Sequence, residues 1–104
     1  MNEFTGKWLI EGMELWGREF IDLVERGHFT FESDGSGCFA FGAVNGCMCC
    51  KRSKTQLKFT FDGCDEGDIV SGCGYVNLSD GNKLSGRIYF HQGDESDFTA
   101  IQDK

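Results

Sequence analysis

Cysteine is the residue type in this chain whose spacing most invites a chemical interpretation. The densest run is Cys47-Met48-Cys49-Cys50, which suggests zinc binding or redox chemistry, but no second C-x₂-C pair answers it. Side chains alternate along a strand, so we expect Cys50 to point inward and Cys47 and Cys49 outward, and three ligands cannot converge from one straight strand. We therefore predict buried or half-buried free thiols, and a Cys47–Cys64 contact stays open. The six cysteines are Cys38, Cys47, Cys49, Cys50, Cys64 and Cys73.

Histidines and carboxylates offer a second candidate chemistry, a divalent-cation site. Clustered carboxylate oxygens suit Ca²⁺ or Mg²⁺, and imidazole ligands shift the preference toward transition metals. The spacing does not match an EF-hand, and short acidic loops at strand ends are more often solvated turns. The metal ligands therefore stay unknown, and no cofactor is predicted. The candidates are His28, His91, Asp65, Glu66, Asp68, Asp94, Glu95 and Asp97.

Catalytic motifs give little support for an enzyme. The chain has no nucleophile-elbow or triad spacing and no glycine-rich phosphate loop that opens a helix. Acid–base chemistry by paired carboxylates stays open, because Glu11 or Glu14 can approach one end of the fold. We assign no catalytic residue and expect a non-enzymatic protein.

Aromatic residues supply the third candidate site, an apolar ligand pocket. The chain holds ten phenylalanines, two tryptophans and two tyrosines. Trp8, Trp16 and Phe20 can line such a pocket, although in a small barrel aromatic side chains more often fill the core. We predict these three residues, with His28 and His91, as the ligand-binding set. An exposed Trp16 would instead indicate a protein partner.

These candidates must be positioned by short strands. Apolar residues alternate at period two in eight segments, separated by glycine-rich turns. Only residues 16–24 change to helical spacing, with Trp16, Phe20, Leu23 and Val24 on one side, which predicts a helix of about two turns that Gly27 ends. The predicted strands are residues 4–13, 27–32, 37–44, 47–52, 55–62, 68–78, 83–91 and 97–102.

Turn signals set the expected register. Ser33-Asp34-Gly35 is predicted as a three-residue loop with a left-handed glycine, because that length places Phe29, Phe31, Phe39 and Phe41 on one face. Ser79-Asp80-Gly81 is predicted to do the same for the hairpin around it. Asn45-Gly46 is predicted as a two-residue hairpin turn, and residues 63–67 as an acidic loop.

Hairpin connections throughout the chain favour an antiparallel up-and-down barrel of about eight strands, with one short helix after the first strand. Two packed sheets are the alternative. The 104 residues are expected to form one domain, residues 1–104. Alternation places the helix, His28, His91 and the acidic loops together at one end, where we expect any functional site.

Charge and hydropathy limit the partners. The formal net charge is −7, which argues against nucleic acid and anionic membrane surfaces, because both attract basic patches. No apolar run approaches the ~18 residues that a spanning helix needs. The first residues do not have the pattern of a secretory signal, so we expect a cytoplasmic protein.

Two resemblances bear on the family. F-T-G-K-W at residues 4–8 resembles the F-x-G-x-W start of the lipocalin and fatty-acid-binding protein superfamily, the calycins, and an early helix is similar to the intracellular branch. The carboxylate-binding Arg/Tyr set of that branch is not placed here, because Arg87 and Tyr89 share the predicted outer face. Residues 13–23, 65–68 and 86–100 resemble a group of small uncharacterised bacterial proteins, which implies a bacterial origin and no mechanism.

The sequence therefore predicts a small acidic β-barrel that binds a small apolar ligand or a protein partner at its helix-bearing end. The alternative is a divalent-metal-dependent function at the same end. The ligand, the partner and the oligomeric state are not predicted.

Overall fold

The computed structural model describes residues 4–79 and 82–103. One short helix, α1, covers Arg18–Ile21, after the first strand and before the second. The strands are β1 Gly6–Met13, β2 His28–Phe31, β3 Ser36–Phe41, β4 Val44–Ser53, β5 Gln56–Asp65, β6 Asp68–Leu78, β7 Lys83–Phe90 and β8 Glu95–Gln102.

The eight strands form a closed barrel in sequence order. Each strand pairs antiparallel with the next, and β1 closes the sheet by pairing with β8 over Trp8↔Gln102 to Met13↔Phe98. Closure removes the free edges that an open sheet would expose. The predicted fold class, including the helix after the first strand, is confirmed.

Phenylalanine rings and glycines fill the barrel together. Phe39 lies opposite Gly46 across β3 and β4, and Phe59 lies opposite Gly74 across β5 and β6. A Cβ atom built on Gly46 would lie 2.7 Å from the Phe39 ring, and one on Gly74 would lie 2.5 Å from the Phe59 ring. The missing side chains thus provide the volume that the rings occupy. Phe29 of β2 and Phe98 of β8 stack in the interior at 4.6 Å between ring centroids.

The loop after β2 has the predicted form. Phe31 pairs with Gly37, and the backbone N–H of Glu32 donates to the carbonyl of Ser36 at 2.8 Å. Three residues, Ser33 to Gly35, therefore form the loop, and Gly35 has a left-handed φ of +90°. The four phenylalanines at positions 29, 31, 39 and 41 are all buried on the same face, as predicted.

The predicted turn at Asn45-Gly46 is wrong. The turn lies at Gly42-Ala43, since Phe41 pairs with Val44, and Asn45 and Gly46 continue β4. Gly42 adopts φ +59° there, and Gly46 is needed opposite the Phe39 ring. The faces of Met48 and Cys50 are nevertheless as predicted, because both registers pair odd-numbered positions of β3 with even-numbered positions of β4.

The acidic loop predicted at residues 63–67 is shorter than expected. Residues 63–65 extend β5, and Asp65 pairs with Asp68 across a two-residue turn. Glu66 and Gly67 both have positive φ, +51° and +91°, as a type I′ turn requires. The predicted turn at Ser79-Asp80-Gly81 lies largely outside the described residues, but Leu78 pairs with Leu84, so the predicted inner faces of β6 and β7 agree.

The helix is half the predicted length, with four residues. Ile21 is its buried residue, whereas Leu23 and Val24, predicted for the apolar side, are 61% and 73% exposed. The helix ends early because the carboxylate of Asp22 accepts a hydrogen bond from the backbone N–H of Gly27 at 2.8 Å. That bond turns the chain back toward β2.

Candidate functional site at the helix-bearing end

One end of the barrel, called the mouth below, is formed by α1, the Gly42-Ala43 turn, the Glu66-Gly67 turn and residues 91–94. A cavity of about 410 Å³ lies between α1, the start of β6 and the loop after β7. Its apolar wall includes Trp16, Phe20 and Phe90, and its polar wall includes His91 and Asp94. The helix region, an acidic loop and one of the two histidines thus border one cavity.

Trp16 connects the helix region to the aromatic core. Its ring centroid lies 5.8 Å from that of Phe20, 5.3 Å from Phe41 and 6.2 Å from Phe90. Phe90 continues the series inward, at 5.3 Å from Phe61. The mouth therefore opens onto packed rings, and a ligand at this cavity would rest on the core and would not enter it.

Backbone contacts hold α1 against the barrel. The N–H of Gly42 donates to the carbonyl of Ile21 at 2.8 Å, and the ring of Phe20 occupies the position that a Cβ of Gly42 would need. Two features favour glycine at position 42: the positive φ of the residue and the close approach of the Phe20 ring.

Arg18 satisfies carbonyl groups that a bulge in β1 leaves free. The register between β1 and β8 shifts between Ile10 and Gly12, so Glu11 is an extra residue. The guanidinium of Arg18 donates to the carbonyl of Ile10 at 2.8 Å, to that of Glu11, and to the carboxylate of Asp22 at 3.2 Å. The same side chain ties the helix to the strand below it.

The carboxylate of Asp22 forms the ion pair with Arg18 and accepts the hydrogen bond from Gly27. The hydrogen bond from the Gly27 N–H, together with the bond and charge of Arg18, lowers the pKa of the Asp22 carboxyl group below the ordinary 3.8. The ionised carboxylate of Asp22 is therefore the form that holds the residues after α1 through the bond to Gly27.

Residues 14 and 15 continue the contact of β1 with its neighbour β8. The N–H of Leu15 donates to Oγ of buried Ser96 at 3.1 Å, and the N–H of Glu14 donates to the carbonyl of Asp97 at 2.9 Å. On the outer face, Arg87 forms ion pairs with Glu14, Glu95 and Asp97 at 3.4, 2.6 and 2.5 Å. The carboxylates facing Arg87 raise the pKa of its guanidinium, which stays charged.

Four large apolar side chains at the mouth remain in solvent. The exposed fraction is 48% for Leu15, 61% for Leu23, 73% for Val24 and 88% for Ile69. Ile69 also lines the cavity beside Trp16. These four residues, called the apolar rim below, have no structural role in the barrel core that would explain their type.

The predicted ligand-binding residues do not all meet. Trp16, Phe20 and His91 line the mouth cavity. Trp8 is fully buried, and its Nε1 donates to the carbonyl of Phe4 at 2.8 Å, which gives the F-x-G-x-W pattern a packing role. His28 lies apart, with Nδ1 3.0 Å from the carbonyl of Arg26 and 3.8 Å from the carboxylate of Glu25. Exposed Ile69 was not among the predicted residues, although the predicted alternation of β6, with Val76 and Leu78 inward, places it on the outward side.

Acidic side chains surround the mouth. They include Asp65, Glu66, Asp68, Asp94 and Glu95, and all but Asp65 are exposed. Within residues 4–79 and 82–103, no group of three or more His, Cys, Asp or Glu side chains is placed to hold a metal ion. The acidic residues are spread around the mouth, so they create a negative electrostatic potential but do not form a defined metal-binding site.

The cysteines are more accessible than predicted. Cys50 alone is half-buried on the inner face, and burial raises the pKa of its thiol to about 11. The other five are exposed. They occupy outward-facing positions of β3 to β6, and small side chains on an outer barrel face are not covered by another layer.

A second concavity lies on the outer face, away from the mouth. It has a volume of about 480 Å³ and is lined by residues of β4 to β7 that include Cys49, Cys73 and Tyr75. Arg87 and Tyr89 also face outward, with the guanidinium 5.6 Å from the tyrosine ring centroid. An Arg/Tyr carboxylate site inside the barrel is therefore not formed by this pair.

The eight-stranded antiparallel barrel fits a calycin-like fold in general. No family model matches the chain, and no curated protein or solved structure matches it significantly. Within the described part of the chain, no helix is both long and apolar enough to cross a membrane.

Proposed function

We propose that this chain is a non-enzymatic binding protein whose mouth binds a protein partner bearing basic and apolar side chains. The observation that supports this best is the apolar rim, since Leu15, Leu23, Val24 and Ile69 are all between 48% and 88% exposed at one end. Exposed apolar side chains at one end of a protein, one of them in the wall of a cavity, are typical of interaction surfaces.

Charge complementarity defines the chemistry of the partner. The rim is interleaved with exposed carboxylates such as Glu66, Asp68 and Asp94, and the chain carries a net charge of −7. Opposite charges accelerate encounter and fix orientation, while the apolar contacts supply affinity. A basic amphipathic segment presents both features.

A small apolar ligand is the second candidate, and it is favoured by the cavity of about 410 Å³ beside Trp16 and Phe20. The packed rings beneath the cavity limit such a ligand to the mouth. A metal-dependent function has no comparable support, because the described side chains form no metal-binding group.

A peptide titration tests the proposal. A synthetic amphipathic peptide of leucine and lysine is expected to bind and to quench Trp16 fluorescence, with affinity falling as salt rises. A leucine–glutamate peptide of equal length is expected not to bind. Ile69→Thr is expected to weaken the lysine peptide about tenfold, whereas Thr55→Ser, in the turn between β4 and β5 at the opposite end, leaves affinity unchanged.

Three outcomes contradict the proposal. Equal binding of both peptides, or an affinity that Ile69→Thr leaves unchanged, would show that the mouth does not recognise the partner chemistry stated here. Saturable binding of uncharged N-phenyl-1-naphthylamine, with neither peptide bound, would favour the small-ligand candidate instead.

A further inference from the structure

Two exposed cysteines face each other directly across β3 and β4. Cys38 pairs with Cys47 in the register that the Gly42-Ala43 turn imposes, and both thiols are free and exposed. The sequence alone predicted a turn three residues later, which would have separated the two cysteines. The pair is therefore a product of the observed register.

The hydrogen-bond pattern shows which kind of pair this is. Antiparallel strands alternate hydrogen-bonded pairs with closer, non-hydrogen-bonded ones. Ser36 pairs with Cys49, so Gly35 lies opposite Cys50, and the N–H of Cys50 donates to the carbonyl of Gly35 at 2.7 Å. Hydrogen-bonded pairs recur at every second residue, so they fall at odd-numbered positions of β3. Cys38 and Cys47 are then a non-hydrogen-bonded pair, for which Cα atoms lie about 4.5 Å apart, within the range of about 4.4–6.8 Å that a disulfide requires.

No other cysteines of the described strands face each other so closely. Cys49 and Cys73 both lie beside Thr60 on opposite sides of β5, so two strand spacings of about 4.8 Å separate them, beyond the limit of about 7 Å. Cys64 pairs with Asn45 and Ile69, and Cys47 faces Asp62. Cys64 is therefore only diagonal to Cys47, a placement for which Cα atoms lie about 7–8 Å apart. Any link that forms without moving the backbone is therefore expected between β3 and β4.

We propose that Cys38 and Cys47 form a reversible disulfide by exchange with a low-molecular-weight disulfide such as oxidised glutathione. The thiolate of one cysteine attacks a sulfur of the reagent, which forms a mixed disulfide and releases one thiolate of the reagent. The second cysteine, as its thiolate, attacks the mixed disulfide and releases the other. The two protein thiols are oxidised, one reagent disulfide is reduced to two thiols, and the two protons of the protein thiols end on the two products.

The bond would fix the hairpin that supports the helix. Gly42, between the two cysteines, carries the contacts to Phe20 and Ile21. The proposal does not depend on what the mouth binds, because it uses only the pairing of two strands.

Thiol counting and peptide mapping test the proposal. The full chain, incubated with oxidised glutathione, quenched in acid and denatured, is expected to lose two of its six free thiols and the mass of two hydrogen atoms. Mapping is expected to link Cys38 to Cys47, and dithiothreitol to restore the starting mass. Cys47→Ser is expected to retain glutathione on Cys38, because the second thiol is missing. Cys73→Ser is expected to form the link as the wild type does.

Four results would overturn the proposal. Three concern the wild type: stable glutathione adducts on both Cys38 and Cys47, a disulfide between another pair, and a covalent dimer as the main product. The fourth is a link that survives in Cys47→Ser.

Discussion

Cys49 and Cys50 are neighbours in sequence that the wall of the barrel separates. Cys49 faces solvent, and Cys50 faces inward at the edge of the core. Burial raises the pKa of the Cys50 thiol to about 11, so little of the reactive thiolate forms at neutral pH. Reactivity at this scale is set by the side of the strand on which a residue falls.

Alkylation of the native protein at pH 8 is expected to modify Cys49 and spare Cys50. A thiol with a pKa near 11 is expected to react on the order of 100-fold more slowly than an ordinary exposed cysteine. Mass spectrometry of peptides after timed iodoacetamide treatment measures both rates, and Cys49→Ser confirms the assignment. Similar rates at the two positions would show that Cys50 is open to solvent.

At the scale of the elements, the sequence predicts strands better than the connections between them. The inner faces of β3 and β4 are predictable because moving a turn of unchanged length along the chain leaves the facing of every side chain unchanged. The position of the turn is not predictable in this way, because it depends on contacts of Gly42 with Phe20 and Ile21, which are distant in sequence. The length of α1 is missed for the same reason, since Asp22 ends it by bonding to Gly27.

The connection after α1 is expected to weaken in acid through Asp22. The folded state lowers the pKa of this carboxyl group below 3.8. Its contribution to stability is therefore complete above pH 3.8 and is lost as pH falls through the folded-state pKa. The Gly27 amide proton resonance is expected to titrate with a midpoint below 3.8, and in Asp22→Asn it is expected to be flat.

A matched control uses the other aspartate in a similar local bond. Ser36 donates to Asp34 from both its N–H, at 2.9 Å, and its hydroxyl, at 2.6 Å, and these bonds lower the pKa of Asp34. Asp34→Asn is expected to leave the titration of the Gly27 resonance unchanged. If the Gly27 titration disappears in both Asp22→Asn and Asp34→Asn, the resonance reports a global change in the protein and not the ionisation of Asp22.

At the scale of the whole molecule, closure depends on the match between rings and glycines. Alternation and hairpin spacing predict an eight-stranded barrel, but they do not predict that Gly46, Gly72 and Gly74 each lie opposite a phenylalanine. That match appears only when the strands are placed side by side. It explains how a chain with ten phenylalanines closes a barrel without an oversized interior.

Gly74→Ala is therefore expected to destabilise the fold by about 1–3 kcal/mol, the usual cost of overpacking. The added Cβ would lie 2.5 Å from both the Phe59 ring and the backbone carbonyl oxygen of Arg87, and the backbone contact cannot be relieved by a rotamer change. Gly12→Ala is the control, because nothing lies within 4 Å of its added Cβ, and it is expected to change stability by less than about 0.5 kcal/mol. Urea unfolding measures both variants. Equal stability of the two would show that neither close contact of the added Cβ is costly. Recovery of Gly74→Ala by Phe59→Leu would assign the cost to the ring, and no recovery would assign it to the Arg87 carbonyl.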